Sequence, residues 1–278
     1  MNTVPYNKDK IMKILHEIKA ESETIGPYVI VAQPRRSEES PQAQNLNGTV
    51  GLHIDFLGFS HGYVESVDMP VDSARNYLIE QALATNAEYL FFVGDDTVSP
   101  YHAFKTLYKT SLENPDAVVV GVYYIKLSDA MIMIRDDDKI RVPNVDPGQV
   151  FEAWQTGMDC MLIPMKILRK MYEEDPDVPF CCIAHGIQGL PFIGEDNFFV
   201  HRLRKSGYRL LVNTDVQCLH MDVYSGKYTA HPDIDLNNYF TNIPIAGRLT
   251  MEDKRRIDKI WKESTEAVTN KLAEKVNE

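Results

Sequence analysis

Two neighbouring carboxylates, Asp95 and Asp96, follow directly on the apolar run Glu88-Tyr89-Leu90-Phe91-Phe92-Val93, with Gly94 between run and acids. Acids at the end of a buried strand suit a hard cation such as Mg²⁺ or Mn²⁺, which takes oxygen ligands from one or two carboxylates and leaves room for the phosphates of a substrate. The same residues would equally serve a tight turn or a helix cap. A second acidic pair, Glu195-Asp196, opens a helical segment, where it either complements the helix dipole or supplies a carboxylate base. His220, in Cys218-Leu219-His220, offers an imidazole to a metal or packs as an ordinary histidine at a sheet edge. Arg75 carries the planar fork that matches phosphate oxygens, or else an ion-pair partner on a helix surface.

The elements that must position these groups follow from periodicity. A short amphipathic helix is predicted over 8–20, then a strand over Tyr28–Ala32 that ends at Gln33-Pro34-Arg35-Arg36. The polar SEESPQAQNLNG reads as a surface loop, and the apolar run Val50–Phe59 as a second strand. A helix over Val71–Leu83, capped by Asp72 or Ser73, precedes the strand at 88–93. Ser99-Pro100 starts another helix, which Asn114-Pro115-Asp116 stops before a strand at 117–125. Strand, helix, strand, helix, strand across 50–125 is a βαβ pattern and predicts a parallel sheet covered by helices, with ligands beyond the carboxyl ends of its strands. Asp136-Asp137-Asp138 reads as a solvated turn. Helices follow at 165–174 and 195–206, the latter stopped by Gly207, then a strand over 208–220, an extended arm over 221–249 and a charged amphipathic helix over 250–278.

Composition limits the function classes. The chain has 278 residues, 44% of them hydrophobic, and Lys+Arg total 29 against Asp+Glu 40, a formal net charge of −11. Such a surface repels nucleic acid and anionic lipid unless charge is segregated, as a face built from Arg202, Arg204, Lys205 and Arg209 would require. Four cysteines (Cys160, Cys181, Cys182 and Cys218) form neither a CxxC pair nor a disulfide framework, which points to a reducing cytoplasm. No stretch reaches the roughly 18–20 apolar residues of a membrane span, and the opening lacks a signal-peptide core, so an untargeted protein is expected.

The order of four landmarks resembles the nucleotide-diphospho-sugar glycosyltransferases of the GT-A fold. Ser73-Ala74-Arg75-Asn76 is similar to the family's "aRN" helix and leads to the strand ending in Gly94-Asp95-Asp96, where the family has a DxD motif; Thr156 to Pro164 resembles its glycine-containing acceptor-side strand. Gly194 to Tyr208 resembles its "ED…F…R…G" helix, and His220 falls where many members place a histidine metal ligand. The resemblance spans roughly residues 28–220 and implies a GT-A (Rossmann-like) catalytic domain over 1–220, with a mostly parallel central sheet and helices on both faces, followed by the arm and helix of 221–278. It further implies sugar transfer from a nucleoside-diphosphate donor to a hydroxyl acceptor on a glycan, lipid, protein or modified DNA base. On this reading Asp96 and His220 hold Mn²⁺ or Mg²⁺, Asp196 or its neighbour Glu195 is the base, and Arg75, Asp95, Pro34 and Asp55 meet the donor. His185 would face the acceptor. Gly94 departs from the pattern, since an acid usually stands there, and Asp95 is the nearest substitute. Two alternatives stay open: a sugar nucleotidyltransferase, against which the glycine-free Ala32–Arg36 speaks, and a non-catalytic sugar-nucleotide or glycan-binding module. The long arm leaves room for a homo-oligomer.

Overall fold

Residue numbering below follows a computed structural model that describes residues 28–36, 54, 59–126, 134–136, 138, 140–142, 145–183, 193–222, 224–231 and 233–234. The helices expected at 8–20 and 250–278, with Asp55 and His185, lie outside the described residues. Seven strands form the main sheet, in the order β2 (His61–Val67), β1 (Val29–Arg35), β3 (Tyr89–Phe92), β7 (Met161–Pro164), β5 (Ala117–Val122), β8 (Arg209–Gln217) and β6 (Val150–Glu152). β1 pairs in parallel with β2 and β3, and β5 with β8; β7 runs antiparallel to β3 and β5, and β6 antiparallel to β8. Five strands therefore share one direction. The result is a mostly parallel, Rossmann-like α/β sheet with one reversed strand at its centre.

β5 explains itself: AVVVGV is β-branched and buried along its whole length, as a strand covered on both faces must be. The covers come from both sides. Helices α1 (Val71–Leu83), α3 (Met165–Glu174) and α4 (Glu195–Lys205) send Leu78, Ile79, Ile167, Leu168, Phe199 and Leu203 into one core, which also takes Ile30 and Ala32 of β1. Helix α2 (Ala103–Glu113) packs Phe104 and Leu107 on the opposite face with Val29, Val31 and Phe91. Alternation along β1 thus sends odd and even residues to different cores, the period of two that a strand imposes.

Three readings of the sequence need correcting. The strand after β1 is His61–Val67 rather than the apolar run 50–59. β2 is a half-exposed edge strand without a clean apolar face, while Ile54 and Phe59 of that run pack in the α2 core. α1 begins at Val71 with Pro70 at its N-cap position, so neither Asp72 nor Ser73 caps it. The single strand expected over 208–220 is two. After β8 the chain turns at Cys218 into β9 (Leu219–Asp222), which leaves the main sheet and joins β4 (Thr97–Val98) and β10 (Lys227–Thr229) in a small antiparallel sheet. Asp136 does occupy a turn, its carboxylate accepting from the Ile140 backbone N–H at 2.8 Å.

Candidate metal and donor site

The small sheet fixes the first two groups. β4 starts immediately after Asp96, and its register places Thr97 opposite His220 on β9, while the Met221 backbone N–H donates to the Asp96 carbonyl at 2.7 Å. His220 Nε2 comes to 3.7 Å from Asp96 Oδ1. The other ring nitrogen, Nδ1, bonds the Tyr124 carbonyl. A carbonyl only accepts, so Nδ1 donates to it, and Nε2, the nitrogen that faces Asp96, is the one placed to take a metal while a backbone carbonyl holds the ring. The Tyr123 ring stands edge-on to the imidazole at 5.5 Å and fixes its plane.

A third group arrives from the reversed strand. Pairing of β3 with β7 aligns Phe92 with Met161, and the same register carried outward sets Gly94 opposite Asp159. A Cβ at Gly94 would lie 2.5 Å from Asp159 Cγ and 2.7 Å from both carboxylate oxygens. The missing acid at position 94 therefore has a spatial counterpart: the carboxylate of Asp159 fills the space where a side chain at 94 would begin. Cys160, at φ 50, holds the left-handed turn between Asp159 and β7. Thr97 donates to Asp159 Oδ2 at 3.0 Å. Asp96, Asp159 and His220 each present a ligand atom within 4.8 Å of the others. Two carboxylate oxygens and one imidazole nitrogen, largely buried and bordering a cavity, are a donor set that fits a divalent cation, Mn²⁺ more readily than Mg²⁺ because of the nitrogen.

Cations surround these acids. Arg36 and Lys126 both contact Asp96 Oδ2. Burial alone would push the Asp96 carboxyl up, but the neighbouring His220, Arg36 and Lys126 outweigh it and hold the group well below the usual carboxylate range. Asp95 points elsewhere than the metal cluster, accepting from the Arg36 backbone N–H at 2.9 Å; burial pushes its carboxyl up against the pull of that bond. Arg75, on the buried side of α1, reaches Glu195 at 2.6 Å and Asp159 at 3.4 Å. Its helix-surface reading is thereby excluded, since the side chain is only 7% exposed. Burial opposes its charge, yet Asp159, Glu195 and Asp196 raise the guanidinium above its ordinary range. Arg75 Nε is buried with no hydrogen-bond partner, one donor still to be satisfied.

Pro34, Arg36, Arg75, Asp95, Asp96 and Asp159 line one cavity of about 70 Å³ at the carboxyl ends of β1 and β3. That edge is where open α/β sheets bind ligands.

Asp196 sits one residue inside α4, its Oδ1 accepting from the Asn197 backbone N–H at 2.7 Å. Burial, then repulsion from Glu195, pushes its carboxyl up to about 6, against the pull of Arg75. Glu195 is committed to Arg75 instead. Of the residues singled out from sequence, Pro34, Arg75, Asp95, Asp96 and His220 come together, Asp196 flanks them beyond Glu195, and Asp159, Arg36 and Lys126 were missed. The charge of Asp159 directly ahead of the buried strand Met161–Pro164 was the one available signal for it.

Of the basic face proposed for 202–209, Arg202 and Arg204 turn inward, while Lys205 and Arg209 stay at the surface beside Asp175 and Asp116. Arg202 is buried and donates to the carbonyls of Met171, Asp175 and Val178, Arg204 to that of Ala153, and Arg209 pairs with Asp116 at 2.8 Å. No helix among the described residues is long and apolar enough to cross a membrane.

No family model and no curated protein matches the chain. Among solved structures it is similar to A197 from STIV, at 15% identity and a TM-score of 0.49, over 74% of this chain and 95% of that one. It is also similar to GalNAc-T7 solved with UDP, GalNAc and Mn²⁺, at 11% identity and a TM-score of 0.43, over 72% of this chain and 45% of that one, so less than half of GalNAc-T7 is spanned.

Proposed function

We propose that the chain is a metal-dependent glycosyltransferase that moves a sugar from a nucleoside-diphosphate donor to a hydroxyl acceptor. The observation that carries this reading is the convergence of Asp96, Asp159 and His220, the two carboxylates also lining a cavity with Arg36 and Arg75 at the strand ends. Those three residues would hold Mn²⁺ or Mg²⁺, which when bound offsets the negative charge that grows on the departing diphosphate. Arg36 and Lys126, released from Asp96, provide further cations for the phosphates. Arg75 positions Asp159 and Glu195 across the site.

Transfer breaks the bond from the anomeric carbon to the diphosphate oxygen and forms one to the acceptor oxygen, through a state with oxocarbenium character like that of glycoside hydrolysis. The acceptor hydroxyl gives its proton to Asp196, whose raised affinity for protons suits a base working near neutral pH. Asp159 beside Gly94 restores an acid that position 94 lacks, which favours catalysis over a non-catalytic module. A panel of nucleotide sugars, incubated with Mn²⁺ and without acceptor, tests the proposal. Mn²⁺-dependent release of nucleoside diphosphate from one donor, abolished in Asp96→Ala, is the expected result; binding without turnover across the panel would overturn it.

A further inference from the structure

A second cavity of about 60 Å³ lies beside the donor site, and Asp196 is part of its wall. Arg135, Arg141, Thr156 and Asn197 line it too. The two arginines come from facing segments joined by an antiparallel bridge, and a further bridge from Arg135 to Gln155 ties them to the stretch that carries Thr156. Backbone bonds hold this arrangement: Arg135 N–H donates to the Gln155 carbonyl at 2.9 Å and Asp136 N–H to the Ile140 carbonyl at 3.0 Å. The cations therefore stand on a fixed frame.

Thr156 is the second observation. It is 2% exposed, and its hydroxyl is buried with no hydrogen-bond partner. A buried hydroxyl left unpaired forfeits its hydration without compensation, so a residue kept in this state at a cavity wall is poised for a ligand that supplies the partner. A threonine hydroxyl and two guanidinium forks together offer donors, and an oxyanion offers only acceptors. Burial, then the like charge of Arg135, pushes the Arg141 guanidinium below its ordinary range. The space is several times the 10–15 Å³ or so that one water demands and suits a group of about five heavy atoms.

We infer that this cavity is an acceptor subsite for an oxyanion, so that the preferred acceptor carries a phosphate or carboxylate group close to the hydroxyl that receives the sugar. The inference rests on the transferase reading and adds to it the chemical class of the acceptor. The anion docks between Arg135 and Arg141 and accepts from Thr156, leaving the hydroxyl directed at Asp196 on the same wall. Asp196 is the opposing charge in the cavity, and it separates the anion end from the reacting end.

Inorganic phosphate and acetate, titrated separately into the full chain and followed by amide NMR, are the probes. Saturating shifts at Thr156, Gly157 and Asn197 are expected, with affinity at least tenfold weaker in the double variant Arg135→Gln/Arg141→Gln, within threefold of wild type in Arg135→Lys/Arg141→Lys, and retained in Asp96→Ala. Tighter binding of phosphate assigns a phosphorylated acceptor, tighter binding of acetate a carboxylated one. Absence of saturation with either anion, or equal affinity in the glutamine double variant, overturns the subsite. Because this readout needs neither metal nor donor, its failure is separate from failure of the transferase reading, which Mn²⁺-dependent donor cleavage decides.

Discussion

At the residue scale, Gly94 and Asp159 form a pair in which one side chain occupies the place of the other. Gly94→Asp puts a Cβ 2.5 Å from Asp159 Cγ and adds a second acid beside the first, and is expected to destabilise the fold by about 1–3 kcal/mol, the usual cost of overpacking, with charge repulsion added. The double variant Gly94→Asp/Asp159→Gly returns the acid to the strand β3 side and is expected to regain both thermal stability and Mn²⁺ binding relative to either single change, measured by melting and metal titration. Asp196 supplies a pH prediction. Its carboxyl is raised in the folded state, so ionising it opposes folding: its contribution is most favourable below about pH 4 and is lost as pH rises through about 6. At about 1.4 kcal/mol per unit, the group costs up to ~3 kcal/mol at pH 7.5. Asp196→Asn is therefore expected to melt higher than wild type at pH 7.5 and no higher at pH 4, while losing sugar transfer at pH 7.5. Equal melting temperatures at pH 7.5 would refute the assigned shift.

The element scale shows how far sequence reaches. Long periodic segments were legible: α3 begins and ends at the residues expected, α1 ends where expected, and α4 stops one residue short of its expected end. Asp96 and His220 were paired by the resemblance to the GT-A family and not by any local pattern, and the contact between them depends on β9 leaving the main sheet to pair with β4. A strand's departure from one sheet into another leaves no local signal, because Cys218 continues the apolar pattern on both sides. Asp159 was hidden for a related reason: its place opposite Gly94 follows from β7 running against its neighbours, and βαβ periodicity argues for parallel strands. Gly157 belongs to the same segment. A Cβ there would lie 1.5 Å from the Tyr123 hydroxyl, and Tyr123 in turn braces His220. Gly157→Ala must displace the Tyr123 ring, and weaker Mn²⁺ binding with an otherwise intact circular dichroism spectrum is the expected result; unchanged metal affinity would show that Tyr123 does not orient the imidazole. On the other face, Phe104 stacks on Tyr108 at 5.7 Å and tilts against Phe91 at 5.9 Å. Phe104→Ala is expected to cost about 3–5 kcal/mol in denaturant melts without changing metal affinity.

On the scale of the whole molecule, and among the described residues, Arg36, Lys126 and Arg75 face acids at the strand ends, Arg202 and Arg204 donate to backbone carbonyls, and Arg209 pairs with Asp116. The sheet gathers its acids at one edge because strands of common direction end there, and the reversed strand β7 delivers Asp159 to that edge from its beginning rather than its end. A cation that closes this edge binds the folded chain and not the unfolded one. At a hundredfold excess over Kd it stabilises by ~2.7 kcal/mol, a rise in Tm of about 5–10 °C for a domain of this size.

Direct titration of Mn²⁺, followed by the electron paramagnetic resonance signal of the free ion, addresses the central arrangement without any substrate. One ion bound per wild-type chain, with binding at least tenfold weaker in Asp96→Ala and in Asp159→Ala, is the predicted result. A wild-type chain that takes up no Mn²⁺, or variants that bind it as tightly as wild type, would contradict the account.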